Sequence, residues 1–189
     1  MKTLYKLAIV TFFAISGSNI YANDKGWEIL PGTKDGFIFD HSIAVMAGPF
    51  QSTTQIGERT TGMGIELSMN CMIIQPPTNR IRQQVSYFMY EDGESEIQTT
   101  ELNPHYLFEI LPKLEIGAGP GVGYIRTRVD GKSANLLAAQ FGGSLHYRFK
   151  KLFLGAEARY QVTPKADVGD GKENGARNAR ATLKIGYNF

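Results

Sequence analysis

Five side chains in this sequence are of the types from which a nucleophile and its base are built. They are His41, Ser42, His105, Ser144 and His146, with Glu101 or Glu157 available as a third, orienting member. Such a pair works only where hydroxyl and imidazole meet within hydrogen-bond contact and a substrate can reach them. His41 and Ser42 are adjacent, so an extended chain points them in opposite directions. Three histidines without a cysteine cluster make no metal-ligand set, and no catalytic, metal or cofactor residue is assigned. The run Gly117-x-Gly-x-Gly-x-Gly123 invites a nucleotide-loop reading, but its spacing is wrong. A dinucleotide loop needs G-x-G-x-x-G where a strand turns into a helix, whereas these glycines recur every second residue with no helical pattern after them. Gly169 to Gly175 likewise has no phosphate-binding frame and suits a polar loop tip.

The remaining chemistry-bearing residues are charged and share one property, which is period-two spacing against apolar neighbours. Glu66, Arg82, Glu101, Glu109, Glu115, Arg148, Glu157, Arg159, Arg180 and Lys184 each fall on the polar side of an alternating segment. The last segment is the cleanest. Ala179, Ala181, Leu183, Ile185, Tyr187 and Phe189 alternate with Arg180, Thr182, Lys184, Gly186 and Asn188. Seven more read similarly: about 39–49, 61–73, 81–90, 96–110, 113–129, 137–149 and 152–163. Pro104 interrupts 96–110, and the phase of 113–129 is expected to slip near Ile125, at a bulge or above a membrane. The connections alternate in character. Residues 51–60, 91–95, 130–134 and 165–178 belong to one end, while 76–80, Leu111-Pro112 and Lys150-Lys151 belong to the other. Eight antiparallel strands joined in sequence, an up-and-down meander, are therefore expected over residues 37–189.

Ahead of them, Met1 to Ala22 has Lys2 and Lys6 before the apolar stretch Leu7–Ile15, then small and polar residues, with no acidic side chain. This is the form of a secretory signal peptide cleaved near Ala22, too short in its apolar part for a spanning helix. Residues 23–36 then make a short periplasmic arm holding the sole tryptophan, Trp27. Without Lys2 and Lys6, 18 basic residues face 18 acidic ones, so the mature chain is neutral and no basic face for nucleic acid is implied. The single cysteine, Cys71, excludes an internal disulfide and lies too far from the leader to carry a lipid anchor.

Alternation is blind to which face meets water, and on that ground alone a soluble lipocalin-like barrel stays open. Three features favour an apolar face turned to lipid. Aromatic residues gather near strand ends, with Tyr147, Phe149, Tyr187, Phe189 and Phe108 toward one end and Tyr87, Tyr124 and Tyr160 toward the other, as in girdles at two lipid–water boundaries. The polar face mixes glycines with five charges of each sign, which suits a small lumen filled by paired side chains. The chain also ends Gly186-Tyr187-Asn188-Phe189, similar to the terminal-strand signal read by the outer-membrane assembly machinery, so Gly186, Tyr187 and Phe189 are the expected assembly signal.

Residues 37–189 resemble the OmpA/OmpX/opacity-protein type of outer-membrane β-barrel domain. The likeness is carried by Gly117-Ala-Gly-Pro-Gly-Val-Gly-Tyr124, Phe141-Gly-Gly-Ser-Leu-His-Tyr-Arg148, Leu154-Gly-Ala-Glu-Ala-Arg-Tyr160 and the terminal signal. The resemblance implies an eight-stranded transmembrane barrel in the outer membrane of a Gram-negative bacterium. It implies no single activity. The expected role is structural or one of cell-surface interaction, as a monomer among outer-membrane lipid, including lipopolysaccharide. A lipid A or phospholipid hydrolase or acyltransferase is the alternative, although the His-x-Ser arrangement of lipid A deacylases of this shape is absent. Within the lumen, Glu157 and Lys184 lie at similar distances from the turn end of neighbouring strands, as do Glu115 and Arg148, so both pairs are expected to form.

Overall fold

The structure, a computed structural model, describes residues 26–52, 60–78, 80–93, 95–129, 131–166 and 175–189. The leader, its cleavage position and most of the two longest loops lie outside the described residues. Eight strands close into one antiparallel barrel. They are β1 (Ser42–Ser52), β2 (Thr60–Asn70), β3 (Ile81–Asp92), β4 (Ser95–Leu111), β5 (Leu114–Val129), β6 (Lys132–Phe149), β7 (Leu152–Val162) and β8 (Asn178–Asn188). Each pairs with the next in sequence, and β8 returns to pair with β1. Two-residue turns at Pro112-Lys113 and Lys150-Lys151 hold a lysine at positive φ, 72° and 56°, as tight hairpins require.

Through the middle of the barrel the strands turn apolar residues outward, and their inward positions are polar or glycine except on β1, where Ala44 and Met46 face inward. Leu183, Ile185, Leu154, Leu145, Phe141, Val122 and Ile65 are exposed, whereas Glu66, Glu101, Glu157, Arg159, Arg180 and Lys184 are buried. A water-soluble barrel has the opposite arrangement, so this is a transmembrane barrel. The phase expected to slip at Ile125 does not slip. Pairing runs unbroken from Gly123 to Val129 against both neighbours, and the one register shift in β4–β5 lies at Glu109–Leu111, beside the turn. What changes at Ile125 is polarity. Ile125 and Val129 point inward and are buried, while Arg126 and Arg128 point outward. The strand leaves hydrocarbon just above Tyr124, and beyond that level the wall has the polarity of a soluble sheet.

Other boundaries also move. β1 starts at Ser42 rather than near Phe39, and β2 ends at Asn70 rather than Ile73 because the chain just beyond it turns to the arm. There the arm strand Glu28–Ile29 pairs with Ile74–Gln75, outside the barrel ladder. At the other end, β4, β5 and β6 are 17, 16 and 18 residues long, against 11 or 12 for the rest. The connection expected at 130–134 is accordingly shorter, with β6 already under way at Lys132 and Gly131 ahead of it at φ 77°.

Prolines sit inside this sheet where their missing N–H is not needed. The register puts Pro104 of β4 opposite Pro120 of β5, within a gap between the Leu102–Val122 and Tyr106–Ala118 pairs. The strands approach closely there, and a Cβ on Gly119 would lie 1.9 Å from the Pro104 carbonyl oxygen. Gly119→Ala is therefore expected to destabilise the barrel by about 1–3 kcal/mol, since backbone must move. Gly143 faces lipid and its added Cβ would meet nothing closer than 3.6 Å. Urea midpoints in detergent check this, with Gly143→Ala expected to match the parent protein.

Candidate functional site

Inward-facing side chains line the lumen in three tiers. The central tier is ionic. Glu101 on β4 is its hub: Arg180 on β8 grips both carboxylate oxygens, Nη1 to Oε1 and Nη2 to Oε2 at 2.5 Å each, and Arg159 on β7 donates to Oε2. Gln161 Nε2 donates to Oε1 at 2.8 Å, Thr99 Oγ1 at 3.1 Å, and Ser86 Oγ to Oε2 at 3.2 Å. A second centre is Lys184 of β8, whose Nζ lies 2.5 Å from Glu66 Oε2 on β2 and 2.5 Å from Glu157 Oε2 on β7. Glu157 Oε1 is 2.5 Å from Arg159 Nη2 but outside hydrogen-bonding geometry, so that contact is ionic and joins the two centres.

All six groups are buried, three carboxylates against three cations, so the tier is neutral. Neutrality matters because an uncompensated ion in such surroundings costs several kcal/mol. Arg159 and Arg180 face each other across the β7–β8 ladder, and Glu101 between their guanidinium groups offsets the repulsion. The amides of Gln84, Gln140, Gln161 and Asn103 complete the tier, with Gln161 donating to Gln140 at 2.6 Å and Arg159 to Gln84 at 3.3 Å.

Above lies an apolar plug of Met46, Phe50, Phe88, Tyr90, Ile97 and Ile125, closed over by Ala138, Leu136 and Ala176. The Phe50 and Tyr90 rings stack at 4.6 Å, and the Arg180 guanidinium lies 4.7 Å over the Phe88 ring, where plug and ionic tier meet. The lowest tier opens toward the turn end as a vestibule of about 390 Å³. Arg82 there holds Asp40 at 2.6 Å and Arg148 holds Glu115 at 2.8 Å.

Of the ten expected lumen charges, six thus occupy the ionic tier and Arg82, Glu115 and Arg148 the vestibule. Glu109 also lines the vestibule but is exposed and bonds to nothing among the described residues. Glu157 with Lys184 and Glu115 with Arg148 stand in contact. The terminal residues occupy the β8–β1 seam. Gly186 leaves room for the Phe153 ring, Tyr187 packs edge-on to Phe189 at 5.4 Å, and Phe189 stacks on His41 at 4.8 Å. Sequence reasoning missed the plug. Its signal was present, because Phe88 and Tyr90 fall on the same parity as Arg82, Gln84 and Ser86.

The Ser and His residues do meet once, with His105 Nδ1 3.1 Å from Ser144 Oγ. Both are buried on the lumen side, and among the described residues His105 Nε2 and His146 Nε2 have no hydrogen-bond partner. An acyl ester in the surrounding membrane cannot reach this hydroxyl without opening the wall. His41 and Ser42 stand apart, His41 on the outer surface and Ser42 inside beneath Arg82.

No family model matches the chain, and no curated protein matches it significantly. Solved structures do. Neisserial surface protein A superposes with TM-score 0.60 at 15% identity, covering 79% of this chain and 97% of that one. The attachment invasion locus protein Ail of Yersinia pestis superposes with TM-score 0.50 at 14% identity, covering 81% and 100%. Likeness at these identities is likeness of fold, and the fold is that of small outer-membrane barrels.

The charge balance predicts a specific coupling. Glu157→Ala leaves the tier with one excess cation and Lys184→Ala with one excess carboxylate, so each is expected to cost about 3–5 kcal/mol. The double variant restores neutrality. Its loss should fall clearly short of the sum of the two, measured as unfolding free energies in detergent. Strict additivity would reject the pairing.

Proposed function

We propose that the chain is an outer-membrane protein with a structural or cell-surface interaction role, built as a closed barrel and not as a pore. The observation that carries this reading is the wall formed by β4, β5 and β6, which continues past the outer girdle. On β6 the pairing with β7 begins only at Ala139, so residues 132–138 have no partner on that side among the described residues. Arg148 N–H donates to Lys113 O just ahead of β5, and the β5–β6 ladder beyond has no bulge, so even-numbered residues of β6 bond toward β5. Ser133, Asn135 and Leu137 consequently turn their N–H and C=O groups to the open edge. Such an edge cannot lie in hydrocarbon, where unsatisfied backbone is too costly, and in water it is a template for an added strand. The attachment in the name of the Yersinia protein is the kind of activity such a surface serves.

The filled lumen supports the same reading from the other side. Eight strands leave room for side chains only, and here the ionic tier and the plug lie in series. The setting we infer is the outer membrane of a Gram-negative cell, reached through a leader cleaved near Ala22, with lipopolysaccharide and phospholipid as the surrounding lipid. Gly186, Tyr187 and Phe189 would be read by the assembly machinery before they close the seam.

Three measurements test these proposals. In planar bilayers the purified barrel is expected to give no steady single-channel current, and large steady currents would refute the closed barrel. Asn135→Pro removes an N–H only from the open edge, so cells displaying it should keep normal protein levels while losing adherence to host-cell surfaces that the parent supports. Phe189→Ser should lower outer-membrane levels far more than in-vitro stability, and undiminished levels would show that the ending is not a signal.

A further inference from the structure

We infer that the arm, Trp27 to Phe39, is an interfacial anchor lying in the periplasmic leaflet, with phospholipid as its partner. The inference rests on the outer-membrane reading above. Its first support is the place of the arm on the wall. Register puts Cys71 beside Ile81, with a 2.8 Å bond from Cys71 N–H to Ile81 O, and Ile81 beside Tyr106 on the lipid-facing side. Yet Cys71 and Ile81 are only 2% and 8% exposed. Chain therefore packs over them from outside the barrel. Gln75, bonded through its amide to both N–H and C=O of Ile81, is part of that cover, and the arm strand Glu28–Ile29 is paired to it.

The second support is what this cover presents. Trp27, Ile29, Leu30, Ile38 and Phe39 of the arm, with Ile73 of the paired connection, are 43–72% exposed. Six large apolar side chains exposed on one short arm and its paired connection would need another explanation in a soluble protein, whereas beside a lipid belt they extend it. The continuity is direct. Phe39 meets Phe37 edge-on at 5.0 Å, and two residues on, His41 stacks against Phe189 of the periplasmic girdle.

The backbone agrees. Leu30 N–H donates to Ile73 O at 2.7 Å, Gly32 to Met72 O at 3.2 Å, and Thr33, Lys34 and Phe37 donate within the arm, so protein meets five of its amides besides the two-residue pairing of Glu28–Ile29. Glu28 and Lys34 pair at 3.4 Å, which leaves only Asp35 without a counter-charge in this stretch. Arg82 fixes the far end through two bonds to Asp40, which sits at positive φ. A docked segment with an apolar outer side at headgroup level is a monotopic anchor in physical terms, buried roughly 5–10 Å below the surface.

Trp27 is the only tryptophan, so the unmodified protein folded in phosphatidylcholine vesicles is its own probe. The expected result is blue-shifted emission, strong loss of intensity with lipids brominated at shallow acyl positions, less with deep bromines, and little with aqueous acrylamide. A companion protein carries Trp27→Phe and Leu183→Trp, the latter at a lipid-facing position 73% exposed. If bromolipids quench the companion while only acrylamide quenches Trp27, the anchor is refuted and the membrane barrel stands. If bromolipids quench neither, the membrane reading fails as well. If Trp27 is shielded from both quenchers, protein and not lipid covers the arm, and the anchor is again refuted.

Discussion

Three carboxylates and three cations enclosed in a ring of eight strands are the constraint from which most of the remaining architecture follows. None can be removed singly without leaving a charge unpaired far from water. Because the partners sit on β2, β4, β7 and β8, the contacts of Glu101 with Arg159 and Arg180 and of Glu66 with Lys184 tie walls that share no ladder, while Glu157 and Lys184 join neighbouring strands. Long side chains reaching inward need empty volume opposite them. Gly155, Gly123 and Gly142 supply it, facing His146 and Lys184, Gln161, and Arg159 respectively.

This packing also explains the order of the tiers. The apolar plug begins where Arg180 lays its guanidinium on Phe88, so the change from ionic to apolar filling passes through one contact that suits both. On the outer wall the reverse change occurs near the same level, where Val122 and Tyr124 give way to Arg126 and Arg128. Inside and outside exchange polarity together. The sheet is a membrane wall below that level and a soluble sheet above it, and its pairing runs on unbroken across the boundary.

That double exchange marks the limit of what alternation could reveal. Period two identifies strands and their two faces, and so the barrel, its eight strands and the inward position of Glu157 or Arg159 were legible. It says nothing of which face is wet, so Ile125 looked like a slip in phase when only its surroundings had changed. The pairing of Glu157 with Lys184 is between neighbouring strands and could be read from distances to the turns. Glu101 with Arg180 and Glu66 with Lys184 could not, because those partners meet across the lumen at heights set by strand tilt. Nor could the docked arm be foreseen. Its pairing with Ile74–Gln75 involves two residues, too few for any pattern.

The open edge of β6 has a consequence for self-association. Two copies in one membrane share an orientation, so the twofold axis relating them runs along the membrane normal. Strands in such barrels tilt by about 40°. That axis would set the two edges running the same way and crossing steeply, where no ladder can form. Confinement to a bilayer therefore protects this edge from its own kind, as proline or lysine protects edges in soluble sheets. A strand not itself held at barrel tilt meets no such constraint.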